Sequence, residues 1–418
     1  MKELYESLLK DVSLPELYRA QYPIRHSEIS DVAGALRRSF FAFDYSGKIR
    51  GKTVAIAVGS RGITNLPRIV TTLADCLKES GAKELFIVPA MGSHGGAVAE
   101  HQTEILKSLG ISEETVGVGI RSSMETVLLG ETEDGKPVYF DRNAASADYT
   151  VSICRIKPHN SFIGPFGSGM VKMNVIGLGK QRGASFCHSL GMENMGKNLV
   201  EFGKISLERS NLLFAVGLIE NAIGETVHIE VVPKETIMDR EPQLLKTAKE
   251  QAAHIPFRDL DVLIMDEMGK NIAGTGFDTL IIQRFSSDAM KGEPYIKRLV
   301  CLSLTPDSHG NAAGMGMVDV ITKRFFDAID LANTYPNFLT ARTPNGCRIP
   351  MIMETDELAI RAALQMAPGC NLSDPRVVRI HNTKNVYDIR ISRALIAEAR
   401  EAGWIVEDDK NGFNSERQ

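Results

Sequence analysis

From residue 52 onward, apolar runs of strand length alternate with stretches of helical spacing. KTVAIAVGS (52–60) is a continuous apolar run ending in Gly59–Ser60, as expected of a strand covered on both faces. LPRIVTTLADCLKESGA (66–82) places apolar residues three and four apart and closes on Gly81, which predicts an amphipathic helix. KELFIVPAMGSHGGA (83–97) is a second strand with a Gly-rich turn, and HQTEILKSLGI (101–111) a second helix. This βαβα order predicts a parallel sheet flanked by helices. ADYTVSICRIKPHN (147–160) reads as a further strand, and 210–233 as two more. PKETIMDREPQLLKTAKEQAAHIPF (233–257) is polar, helical in spacing, and reads as a hinge. After it, 259–282 and 298–329 each repeat the plan of a strand followed by a glycine turn.

A chain of 418 residues exceeds one ordinary core, so two domains are expected, cut near Ile255: residues 1–255 and 256–418. The polar tail after Glu407 reads as frayed. A net charge of -4 gives no reason to expect nucleic acid or an anionic membrane as partner. Six scattered cysteines without CxxC spacing argue against a zinc ribbon, an iron–sulfur cluster or a disulfide framework. The N-terminus lacks the apolar core of a signal peptide, and no apolar run approaches the roughly 20 residues of a membrane span. The simplest compartment is the cytoplasm.

The densest chemistry lies in Ile156–Gly191, IKPHNSFIGPFGSGMVKMNVIGLGKQRGASFCHSLG. It holds seven glycines, more than a good helix tolerates, and is too apolar for a disordered linker. It reads as an active-site wall, with glycines that let backbone approach a ligand. In open parallel sheets ligands bind at the carboxyl ends of strands. Those ends carry Ser60–Arg61, His94 in GSHGG, and His159 after Lys157–Pro158. Two histidines from separate strand ends suit a reaction with a base on one face of a substrate and an acid on the other. Each is also compatible with a polar turn residue. Lys172 sits among apolar neighbours, which would lower its pKa and make the amine a better nucleophile; a snorkelling lysine is the bland alternative. His188 follows Cys187 and could ligate a metal, but a single protein ligand needs an organic chelator to complete the site. Arg61 could bind a phosphate or carboxylate. GSRGIT lacks the ending of a phosphate-binding P-loop, and no GxGxxG opens the first strand–helix unit. In the second half, Gln283, Arg284 and His309 are the polar groups placed to reach a cleft.

Taken together these residues resemble the lactate racemase family, enzymes that use a nickel-pincer nucleotide. Arg61, His94, His159, Lys172 and His188 fall in the family's order, with the metal-ligating histidine 16 residues after the lysine (188 − 172). The resemblance covers most of the chain and is strongest over 54–188. It implies a bilobed α/β protein, each lobe with a mostly parallel sheet flanked by helices and the active site between the lobes. It implies a nickel pyridinium-3,5-bisthiocarboxylate mononucleotide, joined covalently to Lys172, with His188 as the fourth nickel ligand. Ser60 and Arg61 would contact that cofactor, whose supply needs cofactor-synthesis enzymes. His94 and His159 would exchange the proton of the C2 hydroxyl while the C2 hydride passes to the cofactor and back. Gln283, Arg284 and His309 would line the substrate site. Three departures bear on the substrate. The gap from His159 to Lys172 is three residues longer than in lactate racemases. Ile63 and Ile282 stand where they have an arginine and a tyrosine. Trp404 lies in the tail. The resemblance therefore implies a racemase or epimerase of a 2-hydroxy acid larger than lactate, or of a sugar acid. An oxidoreductase with the same hydride chemistry, or a cofactor carrier, are the alternatives; a carrier would need Lys172 and His188 but not His94 and His159.

Overall fold

The structure, a computed structural model, describes residues 2–23, 26–159, 162–285, 294–341 and 344–411. The chain forms two compact units, His26–Ala252 and a second made of Met1–Arg25 with Ala253–Gln418. In chain order the strands are β1 (Leu17–Gln21), β2 (Thr53–Val58), β3 (Glu84–Pro89), β4 (Thr126–Glu131), β5 (Pro137–Asp141), β6 (Tyr149–Arg155), β7 (Leu212–Glu220) and β8 (Thr226–Pro233). They continue as β9 (Asp259–Met268), β10 (Tyr295–Leu304), β11 (Val320–Thr322), β12 (Met351–Met353), β13 (Val377–Ile380), β14 (Asp388–Ser392) and β15 (Ile405–Asn411).

The unit His26–Ala252 is built on a five-stranded sheet in the order β3-β2-β6-β7-β8, parallel except for β8. The helix Leu66–Glu79 lays Leu66, Ile69, Val70, Leu73 and Leu77 on this sheet beside Val54, Ile56 and Ile87. Burying each such side chain contributes about 1.5–3 kcal/mol, which is why the 3.6-residue spacing was readable. The helix Ile237–Gln251, read as a hinge from its polarity, instead packs Ile237, Leu244, Leu245 and Ala248 into the core against β7. β4 and β5 form a separate hairpin.

The run 170–189, expected to be non-helical, is helical. Met170–Lys172 forms one α turn, Met173–Gly177 a π turn and Lys180–Ser189 an α-helix. Burial overrides the poor propensity of its glycines. Gly177 lies against strand-end backbone, with space for a Cβ blocked by Ala90 O at 2.7 Å and Met173 Sδ at 2.8 Å. The same holds for Gly167 beside the Lys157 carbonyl and for Gly164 against Gly196. These glycines let protein segments approach one another, where the sequence suggested approach of a ligand.

In the other unit, β12-β11-β10-β9-β13 are parallel, and β14, β1 and β15 extend the same eight-stranded sheet antiparallel. The first 25 residues thus lie with the C-terminal half, because β1 pairs with β14 and β15, whereas a linear cut at 255 assigns them elsewhere. β15 also corrects the reading of a frayed tail after Glu407: strand pairing runs on to Asn411, and 412–418 lie outside the described residues. Trp404 is a buried core residue packed against Tyr22, with ring centroids 5.4 Å apart. Among the described residues all six cysteines are free, and no helix is long and apolar enough to cross a membrane. Replacing Gly177 by Ala should lower stability by about 1–3 kcal/mol through overpacking against Ala90. Gly47→Ala, where a Cβ meets open space, should be neutral or slightly stabilising. Urea unfolding of the two variants checks this, and equal midpoints would contradict it.

Candidate functional site

Parallel pairing delivers the carboxyl ends of β2, β3 and β6 to one edge of the sheet. Val58 pairs with Pro89 on one side and Ile153 on the other, so the segments that follow start level. After β2 come Ser60 and Arg61, after β3 His94, and after β6 Lys157 and His159. The turn Met170–Lys172 and the helix Lys180–Ser189 bring Lys172 and His188 to the same place. The electrostatics confirm the proximity: His94 feels Arg61, Lys172 and His188, and His159 feels Lys172, Lys157, His188 and Arg61. Six of the residues singled out from the sequence therefore cluster in this unit.

Ser60, His94, His159 and Lys172 are held by specific contacts. The Ser60 hydroxyl is hydrogen-bonded to His94 Nδ1, so Ser60 orients the imidazole, a job the sequence did not suggest for it. His159 stacks on Phe162 with ring centroids 4.2 Å apart, and Lys172 Nζ lies 6.0 Å from the centre of the same ring. The strand end before His159 is pinned by reciprocal backbone bonds between Lys157 and Ser168 of 2.9 and 2.8 Å. The turn bearing Lys172 is capped by Glu241, whose Oε2 accepts the Val171 N–H at 2.8 Å. Burial pushes the Glu241 carboxyl up to about 7, against the pull of its backbone donors.

Phe162 and Glu241 escaped the sequence reading. Phe162 has no local signature. Glu241 did leave a signal: an acidic residue on the apolar face of its helix, flanked at helical spacing by Ile237, Leu244 and Leu245.

The charge balance of the site is one-sided. Burial, then Lys157 and Arg61, pulls the Lys172 amine down to about 8. Burial, then Lys172 and Lys157, takes His159 down to about 2. Burial and the neighbouring cations also lower His94 and His188. Both of these rings keep exposed surface; they line a wall crowded by protein on one side and open on the other. All three imidazoles are neutral near pH 7. Apart from the Cys187 thiol beside Lys172, the charges acting on these groups are cationic.

The three polar groups proposed from the second half lie in the other unit. Gln283 takes a left-handed conformation (φ 54°) at the end of the helix Thr279–Ile282, its amide turned back onto the Leu280 carbonyl. His309 is exposed after the carboxyl end of β10, also left-handed at φ 47°. Arg284 is committed to structure: it pairs with Asp319 at 2.7 Å and donates to the carbonyls of Met317 and Ile296 at 3.0 and 2.8 Å. That spends most of the guanidinium donors a substrate carboxylate would need, which argues against Arg284, expected to line the substrate site, as the partner of such a carboxylate. Ile282 is fully buried in the core of its unit, and Ile63 packs against the core of the first.

A nickel-pincer nucleotide needs a metal ligand, partners for a phosphate and further hydrogen-bonding groups. Among the described residues no group of three or more His, Cys, Asp or Glu could hold a metal ion. A nickel-pincer nucleotide brings its own chelator and asks the protein for a single further ligand, which His188 can supply. A cation-rich wall suits a phosphate-bearing group. Asn174, two residues after Lys172, is fully buried with both amide atoms unpartnered, leaving hydrogen-bonding capacity that the described protein does not use. The residues fit the group.

Residues 5–199 match the family model of the lactate racemase N-terminal domain. The fold is similar to that of the lactate racemase apoprotein from Thermoanaerobacterium thermosaccharolyticum, at 13% identity and a TM-score of 0.54, covering 88% of this chain and 99% of that one. It is also similar to a structural-genomics crystal structure of a protein from Thermotoga maritima, at 13% identity and a TM-score of 0.51, covering 87% and 99%. At such identity these likenesses concern the fold alone. No curated protein matches the chain. The likeness to the lactate racemase family thus lies in residues 5–199, the part of the chain that matches its N-terminal domain.

Proposed function

We propose that the protein is a racemase or epimerase that inverts C2 of a 2-hydroxy acid other than lactate, a larger acid or a sugar acid, using a nickel-pincer nucleotide. The observation that carries this reading is the gathering of His94, His159, Lys172, His188 and Arg61 at the carboxyl ends of neighbouring parallel strands. When bound, the cofactor supplies a site that accepts the C2 hydride and returns it. Lys172 would anchor it covalently and His188 would ligate its nickel. A lysine lowered to about 8 keeps a usable fraction of free amine near neutrality, as an attacking lysine requires. Arg61, exposed at the rim, is the cation available for a phosphate or for the substrate carboxylate.

His94 and His159 would carry the proton. Each enters as a neutral ring whose lone pair can take the C2 hydroxyl proton, and its conjugate acid gives the proton back to the carbonyl oxygen as the hydroxyl re-forms. Catalysis of this kind is worth ~10²–10⁴-fold. His159 at about 2 would be a feeble base. Converting the Lys172 ammonium to a neutral linkage removes the largest charge acting on it, and an anionic substrate adds a compensating negative one. Both changes act against the cationic part of the shift and raise His159 from that low value, while the larger part due to burial remains. Ile63 and Ile282, absorbed into the two cores, leave the substrate carboxylate without the arginine and tyrosine that lactate racemases offer, which supports a different acid.

Three outcomes follow. Protein made alongside the cofactor-synthesis enzymes should carry a covalent adduct on Lys172 and about one nickel per chain, measured by intact mass and metal analysis; finding neither would remove the lysine linkage. In that loaded protein His94→Ala and His159→Ala should each cut isomerisation of a panel of 2-hydroxy and sugar acids by at least ~10²-fold while nickel stays bound. Full turnover in both variants would overturn the acid–base assignment. In cofactor-free protein, cyanate at pH 8 should carbamylate Lys172 ahead of the other lysines. At that pH about half of an amine titrating near 8 is unprotonated, against roughly 0.4% of an ordinary lysine at 10.4. The rate should fall as pH drops below 8, and peptide mapping reads the site.

A further inference from the structure

Lys180 is fully buried, eight residues before His188 on the same helix, with its backbone in the left-handed region at φ 54°. Its amine donates to the Pro89 carbonyl at 2.8 Å and to Gln102 Oε1 at 2.7 Å, and it forms an ion pair with Asp141, whose Oδ2 lies 3.4 Å away. Gln102 and Asp141 are fully buried as well. Burial draws the Lys180 amine down from its usual range, and Asp141 draws it back up. With its carbonyl oxygen engaged by Lys180, the Gln102 amide group donates twice, to the Gly92 carbonyl at 2.9 Å and the His94 carbonyl at 3.0 Å. Asp141 Oδ1 accepts the Ala144 N–H at 2.8 Å and so joins the end of β5 to the network.

This arrangement is costly for a role that an apolar core could fill. A buried ion pair is often no more stabilising than packed hydrocarbon, and a left-handed lysine adds strain. What the network supplies is location. It fixes Pro89 at the end of β3, both carbonyls of the turn carrying His94, and the first residue of the helix that carries His188. Ser60 then sets the rotation of the His94 ring.

We propose that Gln102 and Lys180 are positioning residues that clamp the turn bearing His94 and tie it to the helix bearing His188. This rests on the racemase reading for the role of His94, while the clamp itself is a property of the protein without cofactor. Gln102→Glu tests it, since a carboxylate still accepts from Lys180 but no longer donates to the Gly92 and His94 carbonyls. In cofactor-free protein with ¹⁵N-labelled histidine, the His94 ring signals, assigned with His94→Gln, should move or broaden while those of His26, which pairs with Glu225, stay put. In loaded protein kcat should fall about 10–100-fold with KM within about twofold and the Lys172 adduct fraction unchanged. His94 signals that superimpose on those of the wild type would overturn the proposal, as would a general change that includes His26. If Gln102→Glu fails to fold, the pair Lys180→Met with Asp141→Asn, which leaves no buried charge unpaired, is judged by the same signals. Should the unaltered loaded protein isomerise no acid at all, the racemase reading fails, and the ring spectra still decide the clamp.

Discussion

Parallel pairing of β2 with β3 and β6 is the constraint on which the site depends. Parallel strands need a crossover between them, so each re-enters the sheet from the same end and leaves it at the same edge. The residues just beyond Val58, Pro89 and Arg155 are therefore neighbours whatever their separation in sequence. A slip of one residue in β3 would exchange its two faces and carry the His94 turn with it. Continuous apolar runs bury both faces of these strands, and the Lys180 contact to the Pro89 carbonyl holds the strand end itself.

Much of this was legible because it rests on periodicity and punctuation. The apolar runs, the helix Leu66–Glu79 and the glycine turns after β2 and β3 follow from residue spacing alone. So do the strand-end positions of Arg61, His94 and His159. The run 170–189 was misread because glycine signals flexibility locally, whereas here it serves close packing that only the folded neighbours reveal. β1 and β15 were not anticipated as partners because their pairing joins opposite ends of the chain. Trp404 looked peripheral for the same reason.

The polar scaffold is the part a single sequence hides most completely. Lys180 and Gln102 are separated by 78 positions, and each alone reads as a surface residue. Nothing near Gln102 marks it as buried. Glu241 is the exception, since its apolar helical neighbours give it away. Chemistry that needs a reactive side chain thus left a trace in motifs, and chemistry that holds a side chain still did not.

The charge balance connects these levels. Packing puts Lys172, Lys157 and Arg61 around rings that have lost much of their water, and among the described residues no carboxylate acts on His159 or Lys172 to compensate. A structural core would relieve that imbalance with an acid, as Asp141 does for Lys180 only a few residues away. Among the described residues one lysine of this short stretch is paired with an acid and the other is not, which separates their jobs in the proposed reading: Lys180 is fixed, and Lys172, lowered to about 8, is the amine that can react. The difference is set by which acid the fold brings near, and it is the physical ground for assigning scaffold to one lysine and reactivity to the other.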